Sequence, residues 1–260
     1  MTRSDNLDYE TVLWLILIHI ASIVIICGRP IPNNWLWILG STYAVRMFGI
    51  SAGYHRYFAH RCFITSRLFQ FLLAVLAMTS TQRSVLWWAS HHREHHRFSD
   101  TPKDVHSPVV HKFVWSHLLW FCYKQHTYTI EQAITDWRKY PELCLLDQYP
   151  NLPTVLWIIA MYCIAGMNGI LWGYVVSTVV ILHVMAMGNS VAHRLGGRNF
   201  DTDDNSRNNC LYALLSLGEW HNNHHARPYK ANQGHLWWEV DLVYLILQCL
   251  AFLRIIWKLR

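Results

Sequence analysis

The chain has 260 residues, is 53% hydrophobic and only 15% charged, and carries a net charge of +6. An ordinary soluble domain carries about 25% charged residues, so this composition excludes a disordered or fibrous chain and points to a membrane protein. The 22 Lys and Arg are spread along the chain with no clustered basic face, which excludes a nucleic-acid-binding surface.

The first apolar run, Thr11 to Gly28, reaches about 27 Å as a helix and can cross a bilayer. The polar stretch Thr2 to Glu10 precedes it and no small-residue cleavage site follows, so no removable signal peptide is expected. Arg29-Pro-Ile-Pro-Asn-Asn34 breaks the helix. A second run follows from Trp35 to about Gly53, interrupted by Arg46, whose guanidinium is expected to snorkel to the interface. Leu68 to Gln82 and Leu242 to Leu253 are short and are expected to lie along the interface or inside the protein. Leu152 to His193 contains no Asp, Glu, Lys or Arg, and one helix of that length would be ~60 Å long. Gly166-Met-Asn-Gly169 is the expected turn between two spans.

These elements predict an all-α membrane protein. Four transmembrane helices, about 11–28, 35–53, 152–166 and 170–190, form two hairpins under a helical cap made of about 54–151 and 191–260, and the whole chain, 1–260, is one domain. The two far-side turns contain a single basic residue, Arg29, so the cap is expected on the cytoplasmic side. The seven cysteines form no CxxC pair, and most of them are expected to face a reducing compartment.

Histidine is the unusual residue: 17 of them exceed the 16 Asp plus Glu. Three clusters stand out, His55-Arg-Tyr-Phe-Ala-His60, His92-Arg-Glu-His95-His96 and His221-Asn-Asn-His224-His225. In a helix His92 and His96 share a face while His95 is rotated about 100° from His96, and the last cluster repeats the pattern. Two such clusters facing each other can supply a paired-metal site. A structural zinc closes with four ligands, usually including thiolates, so these eight imidazoles exceed what one zinc can use. Isolated histidines such as His19, His106, His111 and His183 are expected to be surface or packing residues.

The segments Gly49-Ile-Ser-Ala-Gly-Tyr-His-Arg-Tyr-Phe-Ala-His60, His92 to Thr101 and Gly218-Glu-Trp-His-Asn-Asn-His-His225 resemble the integral-membrane fatty-acyl desaturases, most of all the Δ9 acyl-CoA (stearoyl-CoA-type) branch. The likeness runs from about Thr11 to Arg227 and includes Asp104-Val-His-Ser-Pro108, Ser116-His117 and Asn189-Ser-Val-Ala-His193. It implies a di-iron centre with His55, His60, His92, His96 and His224 on one iron. His95, His193, His221 and His225 would hold the other, with Asn189 reaching it through a water. It further implies O2 as co-substrate and a cis double bond, at Δ9, in a saturated acyl chain. Tyr43 and Met47 fall where the family closes its acyl tunnel, and a Met there implies a ~16-carbon preference by volume.

Two positions depart from the family's head-group pattern: a basic pair is here Lys124-Gln125, and an Arg two before the second box is Ser90. Acyl-CoA remains the favoured substrate, with acyl-lipid or acyl carrier protein as alternatives. A separate electron donor of ferredoxin or cytochrome b5 type is expected, because the chain contains no motif for either cofactor. A bacterial plasma membrane is favoured over the endoplasmic reticulum. The rival readings are a histidine-box hydroxylase and, from a different class, a His-rich membrane metal transporter, which would place its ligands at mid-bilayer.

Overall fold

The computed structural model describes residues 6–28 and 30–260, so Arg29 lies outside the described residues. The molecule is mostly helical. Helix α1, Tyr9–Gly28, is strongly apolar after Glu10 apart from His19, and buries only Ile18, Ser22 and Ile25. Helix α2, Trp35–Phe48, runs without a break into a wide-turned π segment, Gly49–Ala59, in which every residue is buried. Two amphipathic helices follow, α3, Arg67–Met78, and α4, Val85–Phe98, each capped by a serine side chain, Ser66 and Ser84, that satisfies an otherwise unpaired amide.

After the short helix α5, Pro141–Gln148, the uncharged run forms α6, Leu152–Ile170, a second π segment, Leu171–Val176, and α7, Ser177–Ser190. It folds back on itself at Ala165 and Gly166, where Gly166 takes φ +59, a left-handed conformation that a glycine adopts without a side-chain penalty. The arms pack closely enough that a Cβ on Gly169 would lie 2.0 Å from the Met161 carbonyl oxygen. The turn therefore sits at the start of the glycine-bearing stretch that the sequence singles out. Short helices α8, Cys210–Leu215, and α9, His221–Ala226, lead to α10, Leu242–Phe252. The last residues pair with the segment ahead of α3, β1 (Ile64–Thr65) against β2 (Ile256–Trp257), antiparallel.

Among the described residues, two helices are long and apolar enough to cross a membrane, Tyr9–Gly28 and the folded Leu152–Ser190. The core lies where the π segment after α2 packs against α3 and α4.

Arg46 corrects the sequence expectation. Its side chain does not snorkel but is fully buried. Nε and Nη2 donate to the Thr79 carbonyl at 3.1 and 2.8 Å, Nη1 donates to Ser177 Oγ at 3.0 Å, and Nη2 also donates to Thr178 Oγ1 at 2.8 Å. The guanidinium lies 5.6 Å from the Tyr174 ring centre. One side chain thus ties α2 to the end of α3 and the start of α7.

Candidate metal centre

Three helical segments and one turn converge on the histidines. His55 and His60 are five residues apart, which on an α-helix would place them about 140° apart. The π segment removes that mismatch: the His60 amide donates to the His55 carbonyl at 3.2 Å, and the two rings sit 5.1 Å apart. A π turn at a functional site is a recurring use of this otherwise rare conformation. On α4 and α9 ordinary helical spacing does the sorting, with His92 and His96 on one face and His221 and His225 on another. His193 arrives from the turn after α7.

The outcome is two groups, each with ligand atoms within 4.8 Å of one another: His55, His60, His92, His96 and His224, and His95, His193, His221 and His225. These are the same two sets that the family resemblance implies. Within the first, Nε2 atoms face each other at 2.8 Å for His55 and His224, 2.9 Å for His60 and His92, and 2.9 Å for His96 and His224. In the second, His193 and His221 face at 2.9 Å. Imidazole nitrogens bound at about 2.0–2.1 Å to one ion lie roughly 2.9 Å apart when at right angles and roughly 3.3 Å apart when tetrahedral. The spacing fits an ion with more than four ligands better than a closed zinc site.

Behind the rings stand carboxylates. His55 Nδ1 lies 2.7 Å from Glu219, His95 Nδ1 2.9 Å from Asp104, His193 Nδ1 2.9 Å from Asp100, and His225 Nδ1 against Asp204. Each carboxylate draws the ring proton to Nδ1 and leaves the Nε2 lone pair facing inward, the outer support that metal-binding histidines use. His225 Nε2 is buried with no hydrogen-bond partner, an orphaned acceptor that an ion would satisfy. An all-imidazole donor set, without a single thiolate, is one that iron accepts.

Electrostatics agree. Burial, reinforced by neighbouring rings, pushes the pKa of His60, His92, His96, His221 and His224 well below the ordinary histidine value. Burial also lowers His225, to about 4, against the pull of Asp204. The neutral form that metals require is therefore the resting one. For His95 burial acts in the same direction, but Asp104, Asp100 and Asp204 together outweigh it and raise its pKa. Burial opposes the charge on Glu219, yet His55 and Arg56 hold its pKa down to about 2.

Replacing Asp104 by Asn removes the charge while keeping an acceptor, and is expected to weaken metal retention by ~10–100-fold. Metal content after titration with a chelator measures this, and unchanged retention would remove Asp104 from the support of the site.

The sequence reading passed over these carboxylates as supports, although three stand in the quoted motifs: Asp100 and Asp104 follow the second cluster and Glu219 precedes the third. It also set aside His106, which with His95 and Asp104 forms a third, overlapping group. His19 and His183, taken as isolated, join a chain in which His19 Nε2 meets His183 Nε2 at 3.0 Å, and His183 Nδ1 meets His117 Nε2 at 3.0 Å. His117 Nδ1 then meets Ser190 Oγ at 2.8 Å. Only chain folding brings these together.

Beside the first histidine group lies a cavity of about 480 Å³. Trp14, Trp87, Trp88, Trp120, Leu182 and Met185 supply much of its apolar wall, and it reaches His92, His106 and Asn189. Trp88 stacks on His92 with ring centres 4.7 Å apart. Size and lining suit a small-molecule site. Tyr43, Met47, Lys124 and Gln125 do not line it. Met47 is fully buried in the core, the Tyr43 hydroxyl donates to the Leu215 carbonyl, and Lys124 is exposed.

Nine imidazoles turned inward beside an aromatic cavity form a candidate metal centre, and comparison with known proteins puts the chain among oxidoreductases acting on fatty acyl chains. A family model described as fatty acid desaturase matches residues 32–253. The chain is 33% identical over 247 residues to an acyl-CoA 5-desaturase of Anemone leveillei, covering 91% of this chain and 76% of the relative. It is 34% identical over 257 residues to the Delta-9 acyl-lipid desaturase 2 of Arabidopsis thaliana, covering 95% and 80%. An sn-1 stearoyl-lipid 9-desaturase of Anabaena variabilis matches at 30% over 259 residues, covering 97% and 93%. The chain belongs to the fatty acid desaturase family.

Proposed function

We propose that the protein is an O2-dependent desaturase that places a cis double bond, at Δ9, in a saturated acyl chain, using two irons held by the two histidine groups. The observation that carries this reading is the sorting of nine imidazoles into two groups, with the wall of one cavity formed by a member of the first. One iron is assigned to His55, His60, His92, His96 and His224. The other is assigned to His95, His193, His221 and His225, with Asn189 acting through a water. Iron with O2 supplies the removal of two hydrogens from unactivated methylenes, chemistry beyond any side-chain acid or base.

The chain's own part is position and shelter. Glu219, Asp104, Asp100 and Asp204 fix four rings in the tautomer that presents Nε2. Trp88, stacked on His92, brings the cavity wall up to the first group. The aromatic cavity holds the acyl chain and excludes water, so that one carbon–carbon bond rests beside the centre in a cis-compatible conformation. Electrons come from a separate carrier of ferredoxin or cytochrome b5 type docking on the cap.

In this reading α1, the α2 helix with the start of its π segment, and the two arms of Leu152–Ser190 are four spans in two hairpins, and the cap faces the cytoplasm. Support comes from the apolar, largely exposed surface of α1 and from the fold at Gly166. His-ligand positions at the ends of these helices disfavour a metal transporter.

Cells expressing the wild type are expected to accumulate a new cis-monoene, and cells expressing His95→Ala none, as read by lipid mass spectrometry with double-bond localisation. A hydroxylated product would favour the hydroxylase reading instead. Tyr43 and Met47 do not line the aromatic cavity, and the proposal for them is that the acyl chain continues from the cavity into the core, where Met47, two helical turns before His55, and Tyr43 close its path. Met47→Ala should then move chain-length preference from ~16 toward ~18 carbons; an unchanged preference with purified protein would sink that assignment.

A further inference from the structure

Resting on the desaturase reading, we infer that His19, His183, His117 and Ser190 form a proton store that opens on the aromatic cavity at His117 and supplies one of the protons that oxygen reduction consumes there. The four residues come from three elements, α1, α7 and the short π segment Trp115–Leu119. His183 uses both ring nitrogens, Nε2 toward His19 and Nδ1 toward His117, at 3.0 Å each. The rings therefore stand in series, unlike the ligand groups, whose Nε2 atoms converge. Histidines inside apolar helices are costly to place, and chains of them mark proton paths.

The chain is one proton short of filling its own hydrogen bonds. It closes on a backbone carbonyl at each end: His19 Nδ1 donates to Leu15 at 2.7 Å, and Ser190 Oγ donates to Ala186 at 2.7 Å. Between these lie the two ring-to-ring links and the 2.8 Å contact of His117 Nδ1 with Ser190 Oγ. Each of the five links needs one proton, whereas three neutral imidazoles and one hydroxyl bring four. The vacancy passes from link to link as a ring exchanges which nitrogen carries its proton. A fifth proton completes every bond and spreads one positive charge over three rings, a gain that a low-dielectric interior reinforces.

Because the far end closes on a carbonyl inside α1, the chain stores a proton rather than passing it through. The near end, His117, lines the cavity with Ala186 and Asn189. Each turnover takes two hydrogens from the acyl chain and joins them to O2 with two electrons from the carrier and two protons, releasing two waters. Once the acyl chain fills the cavity water is excluded, so a proton must already be in place. Electrons reaching the neighbouring histidine groups draw the fifth proton in at His117 while the cavity is still open to water. It returns through His117 as oxygen is reduced, and the second proton comes from the medium. Burial, reinforced by His183, holds the His117 pKa below the ordinary histidine value against the pull of the Ala186 carbonyl, so the stored proton is readily released. The ionisable groups sharing the cavity with His117 are Asp8, Glu10, Arg83, His91, His92 and His106, and Arg83 is paired with Asp8 at 3.3 Å. Helix α1 also carries Tyr9 and Cys27, and α2, packed on α7, carries Tyr43 and Arg46.

The test uses the full-length protein purified in detergent, with nitrogen-15 in the histidine rings. Between about pH 8 and 5 the ring signals of His19, His117 and His183 are expected to shift together with one midpoint, and couplings between ring nitrogens are expected across both ring-to-ring links. In His183→Gln the common midpoint and the couplings should vanish. In the iron-loaded protein with a chemical reductant, His183→Gln should lower kcat for monoene formation at least ~10-fold, with KM and iron content unchanged. His19→Gln, which shortens the store at its far end, should lower kcat less, and is the variant to use where His183→Gln does not fold. Independent midpoints for the three rings, or full kcat in both variants, overturn the inference and leave the desaturase reading standing. A wild type that makes no monoene defeats the desaturase reading, and the ring signals then decide the shared proton alone: one common midpoint supports it and separate midpoints overturn it.

Discussion

Replacing His193 by alanine is expected to empty the second histidine group while the first stays loaded, so that the iron content of the purified protein falls by half. The group has four members, and losing one leaves three neutral rings to hold an ion. Removing an outer-shell partner costs ~10–100-fold in metal affinity, and removing a ligand outright costs more. Activity should fall by at least ~100-fold if, as proposed, both groups build one two-iron centre. His60→Ala should halve the iron in the complementary way, and the double variant should hold none. Metal analysis and Mössbauer spectroscopy of iron-57-loaded protein separate the cases. Full iron content in both single variants would mean that the two groups are not two sites.

The second large effect belongs to stability. Arg46→Ala removes four donated hydrogen bonds at once and leaves the Thr79 carbonyl and the hydroxyls of Ser177 and Thr178 buried without that partner. Each buried group stranded in this way costs about 1–3 kcal/mol, and the vacated volume adds a cavity term. Removing the buried charge recovers some desolvation, so the net loss is expected at ~3–5 kcal/mol. Arg46→Met keeps much of the volume and should lose less. Thermal unfolding in detergent measures both, and iron content per folded molecule should not change. An Arg46→Ala protein as stable as the wild type would show that the guanidinium ties nothing together.

How much of this was legible in the sequence differs from residue to residue. The division of His92 and His96 from His95, and of His221 and His225 from His224, follows from helical periodicity alone. The reversal near Gly166 was legible because glycines mark the only break in a run too long for one span. The pairing of His55 with His60 was not, since spacing of five misleads on an α-helix and nothing local announces a π segment. Arg46 misled for a different reason: a lone charge in an apolar run has a default exit to the interface, and its partners come from residues 79, 177 and 178, far away in the chain. The supports Asp100, Asp104, Asp204 and Glu219 were legible as letters but not as partners, because a carboxylate's role depends on which ring it meets after folding.

The Arg56, Glu219 and Asp241 cluster shows the same limit. Arg56 is fully buried beside Asp241 at 2.8 Å and Glu219 at 3.7 Å. Gly218, at φ +120, lets Asp241 approach so closely that a Cβ would lie 2.5 Å from its Cα. The glycine was visible in the motif, but its reason is the backbone it touches.

The π segment Gly49–Ala59 makes the number of residues in that helix as consequential as their identity. Losing one residue ahead of His55 would rotate everything after it, both histidines included, by about 100° around the helix axis relative to the helix before it, with every side chain type still present. Insertions and deletions across these eleven positions should thus be far less tolerated than substitutions of similar size. The centre's geometry is written partly as a count.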